Sequence, residues 1–118
     1  MSYDVSIRLP VKGLEDQYVE VADLGNITWN VRELIKRSSG WEIRNEESNG
    51  PVLPWLGLIR NGYCQLTAKP DKYRKYESPN GWGTVGGTRR FYEDCIRNAE
   101  DWLRFNEHLI PAAVIWVD

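Results

Sequence analysis

Six consecutive apolar residues, Ala112-Ala113-Val114-Ile115-Trp116-Val117, follow Pro111 near the end of this chain. The run has the length of a strand and no polar side to offer solvent, so it reads as a buried strand inside a sheet. A second strand signal stands at the opposite end. Within residues 2–9, Tyr3, Val5, Ile7 and Leu9 alternate with Ser2, Asp4, Ser6 and Arg8, the period of a half-buried strand. Pro10 stops it and Lys12-Gly13 supplies a turn. Residues 17–23, with Tyr18, Val19 and Val21, then read as a strand pairing back as a hairpin, and the apolar run is expected to add to that hairpin.

The helical signals lie between. Phe91, Cys95, Ala99, Trp102, Leu103 and Asn106 follow the 3.6-residue period, and Pro111 forbids continuation much beyond His108. Glu93, Asp94, Arg97, Asn98, Glu100, Asp101 and Arg104 fall on the wet side. A second helix, over roughly 54–68, sets Trp55, Leu58, Ile59, Tyr63 and Leu66 on one face, with Pro70 ending it. Gly62 inside it costs up to ~1 kcal/mol against alanine. A short helix over 31–38 carries Val31, Leu34 and Ile35, with Asn30 as its cap and Ser38-Ser39-Gly40 as its stop. Residues 42–50 and 69–83 read as loops. The 118 residues make one domain, long enough for a core without a metal or disulfide staple. The expected class is α+β: a small antiparallel sheet packed against two long helices and one short one.

The total charge is −2, which gives no global pull toward nucleic acid or membrane. Its distribution is uneven. From Arg60 to Arg90 there are seven basic residues and two acidic ones, a local +5 that leaves −7 for the remainder. A basic segment in an acidic chain suggests a localised anionic partner, and a solvated loop explains it equally well. The two cysteines, Cys64 and Cys95, lie in helical patterns among apolar neighbours and read as buried free thiols of a reducing compartment. No apolar run approaches the ~20 residues of a membrane span, and residues 1–10 mix charge with apolar residues unlike a signal peptide. A cytoplasmic protein is expected.

The segment Gly81-Trp82-Gly83-Thr84-Val85-Gly86-Gly87-Thr88-Arg89-Arg90 leads into the long helix and reads either as an ordinary glycine-bearing helix start with solvated arginines or as a seat for an anion. With Thr84 as cap, the amides of Val85, Gly86 and Gly87 are unpaired first-turn donors, and the helix dipole adds about half a positive charge. Arg89 and Arg90 follow within two turns. Only one of them can turn toward the loop, since adjacent helical residues are about 100° apart. Trp82, Tyr73 and Tyr76 are available to stack on a base. Asn26, Thr28 and Asn30 can present a second polar wall from a strand edge, and a second subunit can complete the site. The spelling G-x-G-x-x-G has no βαβ unit around it, and no Lys-Ser or Lys-Thr follows, so neither a dinucleotide fold nor a P-loop is indicated.

Met1-Ser2-Tyr3-Asp4-Val5, Asn26-Ile27-Thr28-Trp29-Asn30, Thr84-Val85-Gly86-Gly87-Thr88-Arg89-Arg90 and Trp116-Val117-Asp118 occur in that order. The order resembles a family of short, largely uncharacterised proteins of bacteriophages and prophages. That family shares an M-S-Y-D start, an N-[IV]-T-x-N element, a T-x-G-x-x-[KR]-[KR] helix start and a tryptophan-bearing C-terminus. Val85 departs from an acidic preference there, Gly87 often corresponds to asparagine, and residues 10–24 differ. The resemblance implies a phage or mobile-element origin and action in a bacterial cytoplasm, and it implies no reaction.

Catalytic equipment is thin. His108 is the only histidine, at a helix C-terminus. No G-x-S-x-G elbow occurs, and one histidine with two cysteines makes a poor zinc set. No catalytic residue, metal or cofactor is expected. Two readings remain. One is a non-enzymatic phage-type protein that binds a small phosphate-bearing ligand and sequesters a host nucleotide signal. The other is an inhibitor that covers a host defence protein through the aromatic and basic surface of 69–77. Nucleic-acid binding is the weakest of the three uses of that segment, and a homo-oligomer is compatible with each.

Overall fold

The computed structural model describes residues 2–118, so Met1 of the opening motif lies outside the described residues. Four strands, β1 (Ser2–Pro10), β2 (Tyr18–Thr28), β3 (Glu47–Pro51) and β4 (Val114–Val117), form one antiparallel sheet in the order β2-β1-β4-β3. The apolar run does extend the N-terminal hairpin: Val117 sits opposite Val5 and Ile115 opposite Ile7. All four of these side chains are fully buried. β2 runs five residues beyond the expected strand, through the Leu24–Thr28 stretch, and register shifts near Val5/Ser6 and Ile7/Arg8 mark two bulges on this edge strand. Bulges of this kind bend an edge and discourage pairing with other chains.

The sheet has a strand that no local sequence pattern announces. β3 lies within residues expected to be irregular, and its Glu-Ser-Asn-Gly-Pro sequence has almost no strand propensity. It forms because β4, apolar and internal, needs a partner on its second edge. Ser48 pairs with Trp116 and Glu47 with Val117. The Asn49 side chain fixes the approach: its Oδ1 accepts from Trp41 Nε1 (3.1 Å) and Arg44 N (2.9 Å), and its Nδ2 donates to Arg44 O (2.8 Å).

Helices α1 (Arg32–Ser39), α2 (Val52–Ala68), α3 (Pro70–Tyr73) and α4 (Val85–Phe105) cover the face that carries Val5 and Ile7. None of the helices described is long and apolar enough to cross a membrane. Four local expectations are corrected. Asn30 does not cap α1. A 3-10 turn, Trp29–Val31, precedes that helix, and Thr28 caps the turn by accepting from Asn30 N. On α2 the buried side chain is Leu56 at 1% exposure, while Leu58 is 38% exposed. Cys64 is exposed because it lies off that apolar face; only Cys95 is a buried thiol, and both are free. Pro70 ends α2 and also starts α3, where its missing N–H is no loss, so 69–83 is partly helical and continues as a 3-10 turn over Arg74–Tyr76.

Helices α1, α2 and α4 meet around a buried polar knot. The Tyr92 hydroxyl lies 2.7 Å from Ser38 Oγ and donates to Ile35 O at 3.3 Å. Burial pushes the phenol up to about 12, with the Ser38 and Ser39 hydroxyls pulling slightly the other way. The folded state holds the neutral form. Below pH 10 the phenol is neutral in both states and its contribution is fully present. Above pH 10 the unfolded chain ionises first, so stability falls progressively toward pH 12, by ~2–3 kcal/mol. Urea unfolding between pH 9 and 12 is expected to show that decline in the wild type and a shallower one in Tyr92→Phe.

Candidate functional site

The N-terminus of α4 is built as its sequence suggests. Thr84 is the cap, and its Oγ1 accepts from Gly87 N at 2.9 Å. Such a cap is worth ~1 kcal/mol. The loop before it is closed by its own hydrogen bonds. Gly81 N donates to Ser78 O (3.1 Å), Ser78 N to Gly83 O (3.0 Å), and Trp82 N to Asn80 Oδ1 (2.9 Å). It is therefore an ordered loop, and most of its amides are already engaged.

The first-turn donors are also largely taken. Val85 N donates to the Glu77 carboxylate at 2.7 Å, a charge-assisted bond at the positive end of the helix. Gly87 N serves the cap. Among the described residues, Gly86 N is the one first-turn amide left without a partner. The expected seat of three open amides is thus reduced to one, because the chain supplies its own anion. Nothing local announces Glu77. A capping box would place the acid inside the first turn, whereas this one arrives from the loop eight residues earlier.

Part of each wall inferred from sequence comes together. Asn26, Ile27, Thr28 and Val31 line one cleft of about 310 Å³ with Trp82, Thr84 and Gly87, although the two stretches are more than fifty residues apart in the chain. The walls are joined at Gly83. A Cβ there would lie 2.6 Å from Val31 Cγ1, so only glycine allows the loop to seat. Asn30 Nδ2 adds a 3.4 Å bond to Trp82 O. Asn30 therefore ties the walls and does not line the cleft.

No charged side chain lines this cleft among the described residues. Its polar groups are well suited to a neutral polar ligand. Thr28 and Thr84 hydroxyls each accept a backbone N–H, which leaves their own protons to donate. The Asn26 side chain makes no hydrogen bond among the described residues. Trp82, 72% exposed, offers an open indole face at the rim.

The remaining site residues fall elsewhere. Gly86 and Arg89 line a separate hollow of about 220 Å³ with Arg74 and Thr67. At 100° per residue, positions 84, 87 and 88 share one side of the helix, and 85, 86 and 89 share the opposite side. The cleft and this hollow thus flank the first turn of α4. Arg90 is exposed and lines neither. Tyr73 is buried at 5% and bonds Gln65 Oε1 at 3.1 Å, so its ring is not free to stack. Tyr76 lies with it on a third hollow, beside Arg37, Lys72 and Lys75. Three acids of α4 are engaged in exposed ion pairs, Asp94 with Arg97 at 2.8 Å, Glu100 with Arg60 at 2.9 Å and Asp101 with Arg104 at 3.8 Å.

No protein-family model, curated protein or solved structure matches this chain.

Proposed function

We propose that this is a non-enzymatic binding protein that holds a small phosphate-bearing, nucleotide-like ligand at the N-terminal tip of α4. The observation that carries the reading is the meeting of Asn26 and Thr28 with Trp82, Thr84 and Gly87 in one neutral polar cleft. A flat polar group such as a base stacks on Trp82 and takes hydrogen bonds from the two hydroxyls and the Asn26 amide. Its phosphate crosses the helix tip to the Gly86 amide and Arg89, whose guanidinium has no acidic partner among the described residues. On this reading the role is phage-type sequestration of a host nucleotide signal in the bacterial cytoplasm.

Calorimetry against a panel of nucleotides tests this. Trp82→Ala and Arg89→Ala are each expected to weaken binding by about tenfold or more. Glu77→Gln removes the negative charge held on the Val85 amide at the helix tip and is expected to tighten it. If no nucleotide binds the wild type, or if all three variants bind as the wild type does, the reading fails.

A second reading is favoured by one specific observation. Trp82, which lines the cleft, is 72% exposed, and Trp29, which does not line it, is 40% exposed; exposed tryptophans are frequent anchors of protein interfaces. A stoichiometric host protein retained through Trp82, with no nucleotide affinity, selects an inhibitor of a host protein instead.

A further inference from the structure

The hollow of about 230 Å³ beneath the Pro70–Tyr76 segment gathers more unneutralised positive charge than either hollow at the tip of α4. Arg37 reaches it from α1, and Lys72 and Lys75 reach it from α3 and the turn that follows. Two aromatic rings hold these cations in place. Lys75 Nζ lies 5.3 Å and Arg37 Cζ 5.5 Å from the Tyr76 ring centre, and Lys72 Nζ lies 5.5 Å from that of Tyr73. With two cations on it, the Tyr76 ring is a platform for charge and not for a base.

The acidic side of the ledger is short. Glu33 accepts only from Arg37 Nε, at 2.7 Å, which leaves both Arg37 Nη groups unused. Asp71 is taken by Arg74 at 2.7 Å. Glu77 is held on the Val85 amide. Lys72 and Lys75 make no ion pair among the described residues.

We infer that Arg37, Lys72 and Lys75 form a second, independent anion site whose ligand is a terminal phosphate group. With Glu33 counted against Arg37, the cluster carries a net +2: a carboxylate would bring one charge and two acceptor atoms, whereas a phosphate dianion brings two charges and three terminal oxygens to the free Arg37 Nη groups and the two lysines. The chemistry is shared by free polyphosphates and by phosphorylated side chains of a partner protein. The inference does not rest on the cleft beside Trp82, since none of these three residues lines it.

Titration of the full chain with pyrophosphate, with a phosphoserine peptide, with its unphosphorylated form and with acetate tests the site. The readout is chemical-shift perturbation of backbone amides over residues 70–76. Pyrophosphate or the phosphopeptide is expected to bind, and the stronger of the two identifies the source. Lys72→Ala/Lys75→Ala is expected to weaken that binding at least tenfold, whereas Arg89→Ala leaves it unchanged. Both lysines are exposed, so the double variant is expected to keep the wild-type spectrum elsewhere. Equal response to acetate or to the unphosphorylated peptide, no response to either phosphate, or full affinity in the double variant would overturn the inference.

Discussion

Gly62→Ala is expected to lower stability by about 2 kcal/mol, although alanine is the better helix former. The added Cβ would lie 2.7 Å from Tyr92 Cε2 and 2.8 Å from Ser39 Cβ. Neither neighbour can yield cheaply. Tyr92 is fully buried and fixed by its hydroxyl on Ser38, and Ser39 is held by its own bond to Ile35 O at 2.6 Å. The methyl must therefore push α2 away from α1 and α4, opening the three-helix contact. For a chain of this length the melting temperature should fall by roughly 6–12 °C. Gly57→Ala on the same helix is the internal control. It meets nothing within 4 Å and should be neutral or stabilising by up to ~1 kcal/mol. Thermal unfolding of both variants is the measurement. A drop for both would implicate general strain in α2, and no drop for Gly62→Ala would mean the helices do not cross so closely.

Gly83→Ala should have the largest effect on binding and a smaller one on stability. Its Cβ would fall 2.6 Å from Val31 Cγ1, on a fully buried β-branched side chain that is stiff at χ1. The cheap response is for the loop to lift off the Trp29–Val31 turn, since 78–83 is largely exposed. Lifting removes Trp82 from the wall opposite Asn26 and Thr28. Loss of one wall of a two-walled cleft is expected to cost ligand affinity by about thirtyfold, the equivalent of ~2 kcal/mol. A ligand-free signature accompanies it. The Ser78 amide, which donates to Gly83 O at 3.0 Å, should lose protection from hydrogen exchange. Gly86→Ala, which meets nothing within 4 Å, should show neither the exchange change nor the loss of the cleft.

The parts of the fold legible in the sequence are those whose signals are local and repeated. β1 and β4 declare themselves through alternation and an unbroken apolar run, and α4 through its period and its threonine cap. β3 does not, because its pairing is imposed from outside by the unpaired edge of β4. α3 is hidden by Pro70, which serves as a stop for one helix and a start for the next. Asn30 has the right chemistry for a cap, but the chain inserts a 3-10 turn and uses Thr28 for that purpose. At the site, two walls could be named from polar residues on strand-like and glycine-rich segments; Asn26 and Thr28 of one and Trp82, Thr84 and Gly87 of the other line the cleft, and Asn30, Gly86, Arg89, Arg90, Tyr73 and Tyr76 do not. Three things were not legible there. Tyr73 turns inward because α3 packs its ring toward Gln65. Arg37 belongs to a helix whose surface gave no sign of what faced it. Glu77 engages Val85 only through tertiary approach, and it changes the electrostatics of the helix tip from open to self-neutralised.

Under the proposed function, the N-terminal tip of α4 and the Asn26–Val31 wall act as one binding surface. A nitrogen–proton correlation spectrum of the labelled protein, titrated with a nucleotide panel, tests it most directly. One nucleotide is expected to shift two groups of amides together and with one affinity, residues 26–31 and residues 81–89, which lie fifty or more positions apart in sequence. Shifts confined to one of these groups, shifts confined to other surfaces, or no shift with any nucleotide would contradict it.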